Sequence, residues 1–230
     1  MNISIVIPIF NESENITSLV GEIELAMKKT SYSYELILVN DASTDDTIDV
    51  LSKIYKKHNF NIKILNNFKN IGQSFSIIKG IKSSKSQTIV TLDGDGQNNP
   101  NDIPKLIQEY NKDKDLVLVG GIRLNRKDNF LKKISSKIAN KIRMLILKDN
   151  CEDTGCSLKI FDKNIFLQFP EFNSIHRFIP ALFSGYNKKT KFIPVDHRKR
   201  IYGKSNYGTL QRLFQGIKDI IKVRKIIKYK

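Results

Sequence analysis

A regular alternation of short apolar runs with longer helical patterns occupies the first two-thirds of the chain and constrains its fold more than any other feature. The runs that predict strands are Ile3–Ile9, Glu35–Val39, Asn61–Leu65, Thr88–Leu92 and Leu116–Val119, and the helical patterns between them cover 15–28, 43–57, 73–82 and 100–110. Strands that alternate with helices of about 10–15 residues are typical of βαβ units. We therefore expect an α/β fold, with a mainly parallel, Rossmann-like sheet flanked by helices. Such sheets bind ligands beyond the carboxyl ends of their strands.

The pattern is less regular after Gly121. The elements predicted there are a basic helix near Leu131–Leu147, a strand near Lys191–Val195 and a long helix from about Thr209. No linker or second apolar core interrupts the chain. We expect one domain over residues 1–208 and a basic amphipathic helix over 209–230.

The positive charge of the chain is concentrated at its C-terminal end. Lys and Arg number 39 against 23 acidic residues, a net charge of +16. Residues 187–230 hold 14 basic and two acidic residues, so this stretch carries +12 and the rest of the chain only +4. Such a distribution favours a polyanionic partner: nucleic acid, anionic lipid or a phosphorylated substrate.

Several classes of protein are excluded by what the sequence lacks. Its longest stretch without a charged residue is Met1–Asn11, eleven residues, which is too short for a membrane-spanning helix of about 20. The two cysteines, Cys151 and Cys156, give no disulfide framework and favour a reduced cytoplasmic protein. No glycine-rich dinucleotide motif follows the first strand, and Arg198 stands where a P-loop ending at Lys204 would need glycine. The missing glycine-rich loop also argues against a sugar nucleotidyltransferase.

Asp93-Gly94-Asp95 follows the fourth predicted strand and is the strongest candidate for chemistry. In an extended segment the two carboxylates point to the same side, so they can converge on one point beyond the strand. Two like charges held close together require a cation, and hard Mg²⁺ or Mn²⁺ suits oxygen ligands. Gln97 supplies a further polar group. A solvated turn is the alternative, but no hairpin pattern follows.

Acidic or polar residues also follow the first two strands, at Asn11-Glu12 and Asp41. At strand ends, such groups bind ribose hydroxyls or the edge of a base. Each could instead cap the helix that follows it. Ser43–Asp46 has the pattern of a capping box at the start of the second helix.

Eight motifs, in their order along nearly the whole chain, resemble the family 2 glycosyltransferases of the GT-A fold. Within them the sequence is most similar to the polyprenyl-phosphate sugar synthases, such as dolichol-phosphate mannose synthase and its bacterial relatives. The motifs are Val6-Ile7-Pro8 with Asn11-Glu12, Val39 to Asp45, Asn70-Ile71-Gly72, Asp93 to Gln97, Gly120 to Arg123, Asp153 to Cys156, His176-Arg177-Phe178, and Arg200 to Gly208. The last three look like bacterial synthases that load sugars onto undecaprenyl-type phosphate.

The resemblance implies a metal-dependent, inverting, hexosyltransferase-type enzyme of cell envelope biogenesis, with a nucleotide-sugar donor and a polyprenyl phosphate acceptor. It implies that Asp93, Asp95 and Gln97 hold Mg²⁺ or Mn²⁺ against the diphosphate of a UDP- or GDP-sugar. The residues implied for the donor are Pro8, Asn11, Glu12, Asp41, Asp93 and Arg200, and those implied for catalysis are Asp153, Asp95 and Arg123.

A phosphate acceptor changes what the site must do. The second pKa of a phosphate monoester is about 6, so it needs no general base at pH 7 but does need a cationic pocket. The candidates for this pocket are Arg123, Arg126, Ser136, Lys137, His176, Arg177, Arg198, Arg200, Lys204 and Ser205. Asp153 would be the base for a hydroxyl acceptor and would otherwise orient a cation; both roles stay open. Relatives often have Arg at the position of Lys137 and Lys at that of Asn206.

The C-terminal helix carries an apolar stripe among basic residues. The stripe consists of Leu210, Leu213, Phe214, Ile217, Ile220, Ile221 and Ile227. We expect it to lie in the interface of an anionic membrane, peripherally on the cytoplasmic face. The alternative is a helix that packs its stripe onto the domain. Because many relatives continue into transmembrane helices, a partner protein that anchors the chain is also expected if the chain is not peripheral by itself.

Two other functions compete. One is a family 2 glycosyltransferase that acts on a saccharide or another hydroxyl in surface-polysaccharide synthesis, with Asp153 as base. The other is nucleic-acid binding by the basic tail, which predicts aromatic residues interleaved with the basic ones. Tyr202, Tyr207, Phe214 and Tyr229 are too sparse for that, so no nucleic-acid partner is expected.

Overall fold

A computed structural model describes residues 2–58, 60–123, 140–200 and 209–229, with the backbone alone for 209–214. The strands are β1 (Asn2–Ile9), β2 (Ser33–Asn40), β3 (Asn61–Asn66), β4 (Thr88–Thr91), β5 (Leu116–Arg123), β6 (Lys159–Asp162) and β7 (Lys189–Val195). The helices are α1 (Ile16–Met27), α2 (Thr47–Lys57), α3 (Gln73–Ser83), α4 (Ile103–Tyr110), α5 (described over 140–147), α6 (Lys163–Phe166), α7 (Ile175–Gly185) and α8 (Thr209–Lys228). A 3₁₀ turn at Pro100–Asp102 precedes α4.

The strands form one mixed sheet in the order β3-β2-β1-β4-β6-β5-β7. Only β6 among them runs antiparallel to its neighbours, which confirms the predicted mainly parallel α/β fold. The chain builds the sheet outward from β1 through β2 to β3 and then crosses back to place β4 on the other side of β1. Because such a reversal of strand order leaves a crevice at the carboxyl ends, the ligand site is expected between β1 and β4.

Helices cover both faces of the sheet. Helices α1, α2 and α4 pack over one buried cluster, which contains Ile5 and Ile7 of β1. Helices α3 and α7 pack over the other, which contains Val6 of the same strand and reaches Val223 of α8. Burial on both faces explains why the strands read as continuous apolar runs rather than as alternating ones.

Three local features differ from the sequence-based expectations. The capping box at Ser43–Asp46 is wrong: α2 begins at Thr47, and its N-cap residue Asp46 makes no side-chain cap. Asp45 Oδ1 accepts from the backbone N and Oγ1 of Thr47 instead, and Ser43 Oγ accepts from the backbone N of Asn11. Strand β6 and helix α7 were not predicted. The charged ends of β6, Lys159 and Asp162, leave it only two apolar residues, and α7 contains Pro180.

The C-terminal helix lies where the sequence predicts it, but only part of its apolar stripe packs on the domain and part is exposed. Ile220 and Ile227 pack toward the domain with Val223, and Ile227 sits against Gly185 of α7. Ile217 and Ile221 are 51% and 53% exposed. The division into a domain over 1–208 and a helix over 209–230 stays a prediction. No helix in the part of the chain that the structure describes is long and apolar enough to cross a membrane.

Gly80 gives a test of how closely α3 packs on the sheet. A Cβ at this position would lie 2.4 Å from Val6 Cγ1 and 3.0 Å from Val39 Cγ2, on two fully buried strand residues. Gly80→Ala should therefore lower the free energy of unfolding by about 1–3 kcal/mol in urea denaturation. Gly21→Ala in α1 is the matched control: its Cβ would meet nothing within 4 Å, so a gain of about 0.5–1 kcal/mol is expected. Equal effects of the two substitutions would contradict the packing described.

Candidate functional site

The loop that leaves β4 carries the paired aspartates into the crevice beside β1. Gly94 brings this loop against the end of β1, because a Cβ there would lie 3.1 Å from the carbonyl oxygen of Pro8. Asp93 Oδ1 accepts from Gln73 Nε2 at 2.6 Å, and Asp95 Oδ1 accepts from the backbone N of Gln97 at 3.1 Å. Asp93 is thus held by a side chain of α3, and Asp95 by the backbone of its own loop.

The electrostatics of the pair indicate a cation site. Burial, followed by the charge of Asp95, raises the pKa of Asp93 to about 6, although Lys159 and Arg123 act in the opposite direction. Among the described residues no group of three or more His, Cys, Asp or Glu side chains could hold a metal. Asp93 and Asp95 offer two carboxylates at this point of the crevice. This donor set fits a hard divalent ion whose other ligands come from amide, water or phosphate oxygens.

A second acidic group lies at the end of β1. Glu12 is buried, and its Oε2 accepts from Asn15 Nδ2 at 2.6 Å. Burial raises the pKa of Glu12, while Asn15 and Arg200 lower it and Asp95 raises it further. Arg200 forms an ion pair with Glu12 and lies 4.0 Å from Asp95 (Nη1 to Oδ2). One guanidinium thus links the acid at β1 to the paired aspartates after β4.

The other two polar residues predicted at strand ends contact loops of the chain itself. The buried Asp41 carboxylate accepts from Asn67 Nδ2 at 2.7 Å and from the backbone N of Ile71 and Gly72 at 2.9 and 2.8 Å. Asn11 has a positive φ of 56°, and its Oδ1 accepts from the backbone N of Thr44 at 2.8 Å. The donor-binding roles of Asp41 and Asn11 stay predictions, and their observed contacts shape the rim of the crevice.

Arg123 and Asp153 form a two-pronged ion pair at the end of β5. Arg123 Nε donates to Asp153 Oδ2 and Nη2 to Oδ1, both at 2.7 Å. Both groups are largely buried. Gly155 makes room for this pair, since a Cβ there would lie 2.6 Å from Arg123 Nη2. Such geometry fixes the guanidinium and stabilises the ionised carboxylate.

The predicted acceptor residues that the structure describes do not all converge. His176 Nδ1 lies 2.7 Å from Ser74 Oγ, and burial, with Lys159 and Arg177, lowers the pKa of the imidazole to about 3. Arg198 instead contacts Glu22 of α1 and Asn99, at 2.6 and 2.7 Å.

The remaining acceptor candidates, Arg126, Ser136, Lys137, Lys204 and Ser205, lie outside the described residues. Their roles stay predictions.

Three side chains near the paired aspartates were missed by sequence reasoning. Gln73 contacts Asp93, Ser74 contacts His176, and the buried Lys159 lowers the pKa values of both Asp93 and His176. A lone lysine within the apolar run Leu158–Phe161 was the only signal for Lys159. Gln73 and Ser74 gave none beyond their position after Asn70-Ile71-Gly72.

An open, mainly parallel sheet with paired aspartates at the exit of its fourth strand defines the class of GT-A glycosyltransferases. The model of the family described as "Glycosyl transferase family 2" matches residues 4–169. The chain belongs to glycosyl transferase family 2.

Curated relatives are similar over nearly the whole chain. A dodecaprenyl-phosphate galacturonate synthase from Rhizobium johnstonii is 37% identical over 100% of this chain and 68% of its own length. An undecaprenyl-phosphate 4-deoxy-4-formamido-L-arabinose transferase from Yersinia pestis is 32% identical over 95% of this chain and 66% of its own length. The chain therefore spans about two-thirds of the length of these relatives.

Solved structures share the fold at low identity. Glucosyl-3-phosphoglycerate synthase from Mycobacterium tuberculosis, in complex with Mn²⁺, UDP-glucose and phosphoglyceric acid, has a TM-score of 0.72 at 14% identity, over 98% of this chain and 80% of that one. Mannosyl-3-phosphoglycerate synthase from Rubrobacter xylanophilus has a TM-score of 0.71 at 11% identity, over 97% and 74%. Both confirm the GT-A fold.

The raised pKa of Asp93 predicts a pH-dependent cost in stability for the metal-free protein. Because the folded-state pKa of about 6 lies above the ordinary 3.8, the cost is present at pH values above about 6 and disappears as the carboxyl protonates in both states near pH 4. Asp93→Asn should raise the midpoint of thermal unfolding at pH 7.5 by on the order of 2–6 °C, and the gain should fade toward pH 4. Asp115→Asn, at an exposed acid, is the control. A gain independent of pH would contradict this account.

Proposed function

We propose that this chain is a metal-dependent, inverting glycosyltransferase that moves a sugar from a UDP- or GDP-sugar to a polyprenyl phosphate of the undecaprenyl or dolichyl type. Two relatives whose names specify sugar transfer to polyprenyl phosphates, at 37% and 32% identity, support the acceptor class. The single structural observation that carries the proposal is the two-pronged pair of Arg123 and Asp153, beside the paired aspartates.

The donor-binding part of the site contains two groups of acidic residues: Asp93 with Asp95, and Glu12. Asp93 and Asp95, with the amide of Gln97, would hold Mg²⁺ or Mn²⁺. When bound, such an ion neutralises the charge that develops on the departing diphosphate. Glu12 holds the nucleoside, together with Pro8, Asn11 and Asp41. Arg200 lies between Glu12 and Asp95 and contacts the diphosphate that links the nucleoside to the sugar.

The acceptor half is supported by the state of Asp153. Both of its oxygens accept from the guanidinium of Arg123, a contact in which the carboxylate orients a cation. A phosphate acceptor needs no base, because it is largely dianionic at pH 7. Asp153 then orients Arg123, whose fixed cation offsets the repulsion between the acceptor phosphate and the donor diphosphate.

The remaining acceptor contacts are inferred from both the described and the undescribed parts of the chain. Arg177, at the start of α7, supplies a second cation next to His176. Ser136, Lys137, Lys204 and Ser205 complete the pocket in this proposal. Attack by the phosphate oxygen on C1 of the sugar, in line with the departing diphosphate, inverts the configuration at that carbon in a single displacement.

Radiolabelled transfer tests the proposal directly. The protein is incubated with Mg²⁺, undecaprenyl phosphate and each of a panel of UDP- and GDP-sugars labelled in the sugar, and the products are extracted into organic solvent. One donor should label the organic phase with inverted anomeric configuration, and labelling should fall at least about a hundredfold in Arg123→Ala. Lys188→Ala, at an exposed lysine, is the control.

Two outcomes of this assay would refute the proposal. Label that is released or transferred only to water-soluble hydroxyl acceptors would favour the alternative in which Asp153 is a base. A product with retained anomeric configuration would exclude a single displacement.

We also propose that the protein attaches peripherally to an anionic membrane on the cytoplasmic face. Helix α8 exposes Ile217 and Ile221 beside Lys218, Lys222 and Lys225. The described part of α5 exposes Ile142, Leu145 and Ile146 beside Lys141 and Lys148. Exposed apolar side chains flanked by lysines are typical of interfacial helices, in which each cation adds about 1 kcal/mol near an anionic surface. A partner protein that provides a further anchor is compatible with this arrangement.

Vesicle sedimentation tests the attachment. The protein should pellet with vesicles that contain anionic lipid and be released by salt, and the double variant Ile217→Ser, Ile221→Ser should bind several-fold more weakly, because it loses apolar burial. Ile48→Ser is the matched control: Ile48 is 48% exposed on α2, which covers the opposite face of the sheet. Equal binding to neutral vesicles, or an equal loss in the control, would contradict the proposal.

A further inference from the structure

The first turn of α3 joins the paired aspartates to helix α7. Gln73, the first residue of α3, donates from Nε2 to Asp93 Oδ1 at 2.6 Å. The next residue, Ser74, is fully buried, and its Oγ lies 2.7 Å from Nδ1 of His176 on α7. Two consecutive side chains of α3 therefore connect His176 to Asp93.

This turn needs an external anchor, because its own cap is weak. The N-cap residue of α3 is Gly72, with a φ of 86°, and it makes no side-chain cap. Asp41 holds the backbone N of Gly72 from the side of β2. Ser74 and His176 hold the turn from the side of α7. The contact with His176 is thus one of those that fix the first turn of α3, where Gln73 lies.

The surroundings of His176 suit a neutral hydrogen-bonding group. Lys159 and Arg177, the charged residues that act on it, are both cations, and together with burial they lower the pKa of the imidazole to about 3. A neutral imidazole can hold Ser74 firmly. It brings no positive charge to a phosphate.

We infer that His176 is a positioning residue for the metal ligand Asp93, acting through Ser74 and Gln73, rather than a contact for the acceptor phosphate. The inference rests on the proposed function, since it takes Asp93 as a metal ligand. Gln73 occupies one oxygen of Asp93 and so takes part, with the hydrogen bond from Ser157, in setting how the carboxylate would be presented to the ion. Groups that orient metal ligands in this way typically change metal affinity by 10–100-fold.

The test measures binding of Mn²⁺ alone, by electron paramagnetic resonance of the free ion. Gln73→Ala removes the direct contact and should weaken binding by about 10–100-fold. His176→Leu and Ser74→Ala act one step further away and should each weaken it by roughly 3–10-fold. The double variant Ser74→Ala, His176→Leu should bind Mn²⁺ no more weakly than the more affected of its two single variants, because both substitutions remove the same contact.

Two variants serve as controls. His176→Asn places an amide near the position of Nδ1, so it should retain the contact with Ser74 and bind Mn²⁺ within about twofold of wild type. Ser83→Ala changes the same residue type at the far end of α3, where Ser83 Oγ contacts the carbonyl oxygen of Gly80, and should bind Mn²⁺ like wild type. Thermal unfolding of each variant shows that it is folded, and Ser74→Ala provides the test even if His176→Leu does not fold.

The outcomes separate this inference from the proposed function. If His176→Leu and Ser74→Ala bind Mn²⁺ like wild type, and His176→Leu instead raises the KM for undecaprenyl phosphate, His176 is a phosphate contact and the inference is wrong. If the wild type itself binds no Mn²⁺, the metal-dependent function is wrong, and the inference with it.

Discussion

Repulsion between two carboxylates at the exit of β4 is the constraint on which the site depends. Asp93 and Asp95 are held close enough that burial and their mutual charge raise the pKa of Asp93 to about 6. Folding alone does not favour this arrangement, because burial of Asp93 costs free energy that the nearby cations Lys159 and Arg123 only partly offset. The surrounding groups hold the pair in place: Gln73 on one oxygen of Asp93, and the backbone of Gln97 on Asp95. In the proposed function a divalent ion would offset this repulsion, with Asp93 and Asp95 as its ligands.

Three cations, Lys159, Arg200 and Arg123, surround this pair of aspartates. Lys159 lies buried behind Asp93, where its charge partly offsets the repulsion. Arg200 bridges to Glu12 on the donor side, and Arg123 is fixed by Asp153 on the other. In the proposed reaction both substrates carry phosphate groups, so positive charge must be in place before they meet. The sheet supplies the geometry, since these residues lie at the ends of β1, β4, β5 and β6 and in the segment after β7.

The fold was largely predictable, because buried parallel strands and their helices repeat a simple pattern in the sequence. The paired aspartates were predictable for the same reason, as they directly follow the apolar run of β4. Strand β6 was missed because its charged ends, Lys159 and Asp162, leave an apolar run of only two residues. The roles of Gln73 and Ser74 depend on how α3 and α7 pack, which no local pattern records. The capping box failed because Ser43 Oγ contacts the backbone of Asn11, across the crevice rim, in place of its own helix.

Calorimetric titration of nucleotide in the presence and absence of metal tests the central claim most directly. UDP and GDP are titrated into the protein with Mn²⁺, and again with EDTA. One of the two nucleotides should bind at least about tenfold more tightly with Mn²⁺, and Asp95→Asn should abolish the difference. Equal affinity with Mn²⁺ and with EDTA for both nucleotides would contradict the claim that the aspartate pair binds the ion that holds the donor.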